Sequence, residues 1–183
     1  MKSFTKFISL SLGLTLGLLL IPYSKIKAQP NNDIKVVKDL PAQSKVYFSI
    51  DEGKTISGTD TATAKWDIAL QRTAFSVNSG SSGKGTTTAQ LLKKVSFDNV
   101  TVAPADGYNE DSVQAKAVPP GSGQGWYLYD MTNHTVNPAP GHIIIVKTAS
   151  GKYAKLEILN YYKNGDGEAG YYTFRYAFIS KAN

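Results

Sequence analysis

Hydrophobic and polar residues alternate with a period of two along much of this chain, and that pattern predicts strands. Residues 45–50, Lys-Val-Tyr-Phe-Ser-Ile, read as the first strand, closed by the turn residues Asp51, Glu52 and Gly53. In residues 66–70, Trp-Asp-Ile-Ala-Leu, strict alternation puts Trp66, Ile68 and Leu70 on one face and turns Asp67 the other way. A partner strand follows at 73–77. Residues 89–94 have the spacing of one helical turn, and 95–100 return to strand-like character. The short run Trp126-Tyr127-Leu128-Tyr129 is the next strand. Residues 142–146 are continuously apolar after His142, the mark of a strand buried on both faces. Ser150-Gly151 predicts a two-residue hairpin link. Beyond it, Ala154, Leu156 and Ile158 point inward while Lys155 and Glu157 point to water. The last strand sets Tyr172, Phe174, Tyr176 and Phe178 on one face and Thr173, Arg175 and Ala177 on the other. The sum is an all-β single domain of mostly antiparallel sheets with a C-terminal β-meander.

Polar stretches separate these runs. Residues 78–85, Asn-Ser-Gly-Ser-Ser-Gly-Lys-Gly, lack the spacing of a phosphate-binding loop and read as a turn in which glycines supply positive φ. Pro119-Pro120 blocks regular structure in a polar segment, and residues 130–141 read as a polar loop. Residues 164–168, Asn-Gly-Asp-Gly-Glu, depart from the twelve-residue calcium pattern and read as a solvated turn.

The N-terminus sets the compartment. Lys2 and Lys6 precede an apolar run over 7–21, and Ala28 stands at a suitable cleavage position, so residues 1–28 are expected to be a secretory signal peptide. Residues 29–44 are then a polar lead-in, disordered at its start, and 45–183 the β domain. The expected location is secreted, periplasmic or cell-surface associated. The chain has no cysteine, which excludes a cysteine-acylated lipoprotein and any disulfide, so the core alone must hold the fold. The net charge of +6 belongs mostly to the leader: residues 1–28 hold four lysines and no acid, leaving 16 basic groups against 14 acidic ones. Nucleic-acid binding loses its electrostatic motive. The 16 glycines and 11 tyrosines suit strands joined by turns.

Candidate chemistry is confined to a few residues. His134 and His142 are the only histidines, neither lies in a catalytic motif, and no placed acid or nucleophile supports a hydrolase. Apart from the initiator, Met131 is the only methionine, and it sits in a polar loop with His134 three residues on. Thioether and imidazole are both axial ligands of heme iron. Trp126, Tyr127 and Tyr129 beside them are candidates to line an apolar slot for a porphyrin.

Several motifs occur in one order: Trp66-Asp-Ile-Ala-Leu70, the glycine-serine loop 78–85, Ala105-Asp-Gly-Tyr108, Gly125-Trp126, residues 148–155 (Thr-Ala-Ser-Gly-Lys-Tyr-Ala-Lys) and Tyr172-Thr-Phe-Arg-Tyr176. Together, from about Tyr47 to Phe178, the sequence resembles the HmuY family of secreted or surface heme-binding proteins of Bacteroidetes. The resemblance implies an all-β fold without enzymatic activity. It also implies a hemophore role, with heme taken from host carriers and passed to a TonB-dependent outer-membrane receptor. Family members hold iron with two axial side chains, histidines in some and methionines in others. One lies just beyond the Gly-Trp strand, where this chain has Met131 and, as a second candidate, His134. The other comes from the segment here numbered 109–125, which has no His, Met or Cys; Tyr108, just before it, is a phenol that could serve. The rival reading keeps this fold and gives it a non-heme ligand, a glycan or a protein partner.

Overall fold

The computed structural model describes residues 33–182. The segment expected to be a signal peptide lies outside the described residues. Twelve strands are described: β1 (Lys35–Pro41), β2 (Val46–Ser49), β3 (Lys54–Ile56), β4 (Ile68–Gln71), β5 (Ala74–Val77), β6 (Thr88–Leu92), β7 (Val102–Ala103), β8 (Tyr127–Asp130), β9 (Thr135–Pro138), β10 (Ile143–Lys147), β11 (Tyr153–Tyr162) and β12 (Ala169–Lys181). The larger sheet runs β1-β12-β11-β10-β6, with β7 parallel to the end of β12; the smaller runs β3-β2-β4-β5; β8 and β9 form a separate hairpin. All pairings except β7 with β12 are antiparallel, and β10, β11 and β12 form the predicted meander.

The two sheets bury one shared core. Phe48, Ile50, Ile68, Leu70, Phe75 and Val77 of the smaller sheet side meet Ile144, Leu156, Tyr172, Phe174 and Tyr176 of the larger. Phe48 stands edge-on to Phe174, ring centroids 5.4 Å apart, which locks the two faces together. Alternation along β12 explains the choice of face. Tyr172, Phe174 and Tyr176 point into this core, and Ala177 and Ile179 point out of it.

Much of the opposite face of the larger sheet is also covered. Ile143, Ile145, Tyr153, Ala177 and Ile179 form a second core under Phe97, Val100 and Ala103. That is why β10 is apolar from Ile143 to Val146: Ile144 and Val146 face one core, Ile143 and Ile145 the other.

Five local readings of the sequence are corrected. Residues 89–94 are not a helical turn, because β6 pairs with β10 from Leu92↔Ile143 to Thr88↔Lys147. Residues 95–100 carry no strand; Phe97 sits in a turn that drops its ring on the second core. Lys155 does not face water. Opposite Ile145 and Ala177, under Phe97, it is buried, and its ammonium donates to the Phe97 carbonyl at 2.8 Å and lies 4.3 Å from that ring. The β10–β11 link is longer than two residues: Thr148 N donates to Lys152 O and Gly151 N to Thr148 O, giving a bulged turn with Gly151 at φ +83°. Trp66 precedes β4 and packs with Ile56 and Ala69 outside the main core, so the alternation that holds for Ile68 and Leu70 does not extend back to it.

The polar lead-in 29–44 also contains an unforeseen strand. β1 pairs with β12 from Lys35↔Tyr176 to Pro41↔Tyr171, with a bulge at Lys38-Asp39 where Asp39 takes φ +49°. Only Leu40 of β1 is fully buried, which left no period for the sequence to show.

Candidate functional site

The residues singled out by sequence lie on and under the β8–β9 hairpin. The pairing runs from Tyr127↔Pro138 to Asp130↔Thr135 and leaves Met131, Thr132, Asn133 and His134 as its four-residue tip. The predicted polar loop is therefore mostly a hairpin. Asp130 builds the turn: its carboxylate accepts from Thr132 N at 2.7 Å and from Asn133 N at 3.3 Å, and it receives the Asn133 side-chain amide at 2.9 Å. Those bonds favour the charged form and hold its carboxyl below the usual carboxylate range. The turn closes at His134, with φ +53°.

The tip presents its donors outward. Met131 is 75% exposed, and Leu128 and Tyr129 are exposed beside it. The Tyr129 hydroxyl is 3.0 Å from His134 Nδ1, so the phenol occupies one ring nitrogen and leaves Nε2 without that partner. The hairpin is fixed at its flanks: Val136 N donates to the Tyr162 hydroxyl at 2.8 Å, and Tyr129 N to Ser122 Oγ at 2.8 Å. Sequence reading passed over Tyr162 and Ser122. The only available sign was the paired Tyr161-Tyr162 at the end of β11, which alternation sends to opposite sides.

Trp126 is placed differently from the expectation of a porphyrin-lining residue. It is 3% exposed and belongs to the main core, its Nε1 donating to Thr73 O at 3.0 Å. Its ring centroid lies 5.0–5.6 Å from those of Tyr172, Tyr127 and Tyr161. Half-buried Tyr127 joins this aromatic base, and Tyr129, paired with Val136, is the exposed aromatic residue of β8 nearest the tip. Burial raises the Tyr172 phenol well above its ordinary pKa; it stays protonated and donates to Arg72 O at 2.7 Å.

The two histidines are not brought together. His142 is half-buried near the hairpin base, and its Nδ1 donates to Gly125 O at 2.6 Å. Base and tip of the hairpin are separated by on the order of 10 Å at the rise of a strand, too far for one metal ion. Tyr108 is also committed. Its hydroxyl donates to Pro104 O at 3.1 Å, its ring packs edge-on against Tyr153 at 5.5 Å, and burial raises its pKa, which opposes a phenolate. The segment 109–125 is pinned instead of projecting a donor. Buried Asp111 accepts from Ala117 N at 2.9 Å and Val77 N at 3.3 Å, with the Lys116 ammonium 3.5 Å away.

The glycine-serine loop is a structural clasp. Buried Asn78 donates to Thr63 O and Trp66 O and accepts from Gly85 N, and its side chain fills the space a Cβ at Gly83 or Gly85 would need. Among the described residues no cluster of three or more His, Asp or Glu is placed to hold a metal ion, and no helix is long and apolar enough to cross a membrane.

The arrangement defines an all-β protein of two packed sheets with an exposed thioether–imidazole hairpin tip over an aromatic base. Residues 42–176 match the family model described as HmuY protein, and the chain belongs to the HmuY family. Solved structures share the fold. The apo HmuY analog TFO of Tannerella forsythia aligns with a TM-score of 0.56 at 18% identity, over 82% of this chain and 96% of that one. Apo PinO, from Porphyromonas gingivitis, gives 0.57 at 18% over 83% and 100%. A protein of Bacteroides vulgatus described as a HmuY-like heme-binding protein gives 0.55 at 19% over 81% and 92%. A search of curated proteins found no match to the sequence.

Proposed function

We propose that this protein binds heme, takes it from host carriers as an exported hemophore, and passes it to a TonB-dependent outer-membrane receptor. The observation that carries the reading is the solvent-facing pair Met131 and His134 at one hairpin tip of a HmuY-family fold. The donor set suits the group: heme iron accepts thioether or imidazole, and both are offered outward, while the neighbouring Asp130 carboxylate is taken up by Thr132 and Asn133. The role is binding, not catalysis. Two donors from one four-residue turn serve one face of a porphyrin, so Met131 and His134 are alternatives for a single axial position. Tyr129 stands beside His134 to hold its ring through Nδ1. Trp126 and Tyr127 support the hairpin from below. Export, by the leader 1–28, places the protein where host heme is found.

The test is a hemin titration of the purified protein, oxidised and reduced, followed by the Soret band. The expected result is a saturable one-to-one shift that Met131→Ala combined with His134→Ala abolishes. An unchanged spectrum in the double variant refutes the assignment. A wild type that gives only weak, non-saturating change favours the second reading, a HmuY-fold module for a non-heme ligand, a glycan or a protein partner. That reading draws on the segment 109–125, which offers no His, Met or Cys.

A further inference from the structure

A cleft at the β3 edge of the smaller sheet, beside the end of β1, is unused by the hairpin. Its cavity, about 580 Å³, lies between the end of β1 and strands β2 and β3, and falls in the range typical of small-ligand sites. Leu40, Val46, Tyr47 and Ile56 give it an apolar wall, and Lys45 stands at its edge. The wall is built, not incidental. Buried Trp66 donates through Nε1 to the carbonyl of Thr61, another lining residue, at 2.9 Å, and Tyr47 packs edge-on to Trp66 at 5.0 Å.

Charge around the cleft is one-sided. Its lining contains Lys45 and no carboxylate. The nearby acids Glu52 and Asp60 are occupied by Lys54 and Lys65 at 2.6 and 2.9 Å. Lys45 forms no ion pair among the described residues, and it also borders a second cavity, about 280 Å³, where Lys116 is the other charged side chain. An apolar wall with an uncompensated ammonium at its rim matches a molecule with an apolar body and an acidic head.

We propose that this cleft binds a small amphipathic organic anion, with its apolar body against Val46, Tyr47 and Ile56 and its acid group on Lys45. The inference stands apart from the heme reading, because the cleft shares no residue with the β8–β9 hairpin.

Anilinonaphthalene sulfonate, an aromatic body with one fixed anionic charge, is the probe. Its fluorescence is expected to rise saturably at one site on the native protein. Lys45→Glu is expected to weaken binding about tenfold, the scale of one charge-assisted hydrogen bond. Thr55→Trp, an exposed β3 substitution that fills the cleft, is expected to abolish it. Both variants should unfold at the wild-type urea midpoint, and Met131→Ala with His134→Ala should bind the probe as wild type does. Dodecanoate should displace the probe at least about tenfold better than dodecanol, which has the same chain and no charge. Absence of saturable binding overturns the proposal, as does wild-type binding in both cleft variants. Equal displacement by dodecanoate and dodecanol overturns the anion assignment.

Discussion

Asp67 provides a test in which burial and hydrogen bonding pull in opposite directions. Its carboxylate is 3% exposed and accepts from Ile50 N at 2.7 Å, from Thr87 Oγ1 at 3.3 Å, and more weakly from Ser49 Oγ and Asp51 N at 3.4 Å. Asp67→Ala leaves the Ile50 amide and the Thr87 hydroxyl without this acceptor inside the protein, a loss of about 3–5 kcal/mol. Asp67→Asn keeps one oxygen for Ile50 N and can turn its amide to donate to Thr87. It loses the charge assistance but no longer buries a charge, so the net change is within about 1 kcal/mol. Burial outweighs the amide bonds and raises the Asp67 pKa above 3.8, with the Asp51 charge adding to the rise. A carboxyl raised in this way binds its proton first in the folded state. As pH falls through the raised value toward 3.8, the wild type should therefore gain stability relative to Asp67→Asn. Urea unfolding followed by tryptophan fluorescence, across that interval, measures the difference. If the wild type instead loses ground as pH falls, the bonds dominate and the reasoning is wrong.

Three further substitutions probe the outer core, the glycine-serine loop and the β10–β11 turn. Lys155→Met keeps the aliphatic stem but deprives the Phe97 carbonyl of its donor and that ring of a cation. Offset by release of a buried charge, the expected cost is about 1–2 kcal/mol in urea unfolding. Burial lowers the Lys155 pKa below 10.5, so the wild type should gain stability as pH rises from that lowered value toward 10.5, and Lys155→Met should not. Gly80→Ala, at φ +50°, drives a Cβ into the Asp111 carbonyl and should cost about 3 kcal/mol or more. Gly151→Ala, at φ +83° in open space, should cost only about 1–2 kcal/mol in the same assay.

The meander was legible because β11 and β12 each hide one face in the main core, and alternation records that directly. Where burial came from elsewhere the pattern misled. Lys155 looked solvent-facing because nothing in its own strand shows that Phe97, 58 positions earlier, will cover it. β1 was missed because its place depends on backbone bonding to β12, which leaves little trace in side chains. At the candidate site, the unusual methionine and histidine marked the hairpin tip. The depth of Trp126 was not legible for a general reason: an aromatic residue next to a polar loop is equally suited to a slot or to the floor beneath it, and the structure packs this one against Tyr161 and Tyr172. The cleft under Lys45 joins residues from 40 to 61 that share no periodicity, so no sequence pattern announces it.

The placement of β12 has a consequence for how the chain comes to be folded. This last strand lies between β1 and β11, and one of its side chains, Thr173, accepts a hydrogen bond from the Asp39 amide 134 positions away. The first strand cannot find its neighbour until nearly the whole chain is available. Contacts of such long sequence separation slow folding, because the loop must close before any pairing stabilises it. The larger sheet therefore cannot close until its last strand is made, whereas β2 to β5 pair among themselves. If the chain is exported as proposed, this order of strands would favour passage before the larger sheet closes.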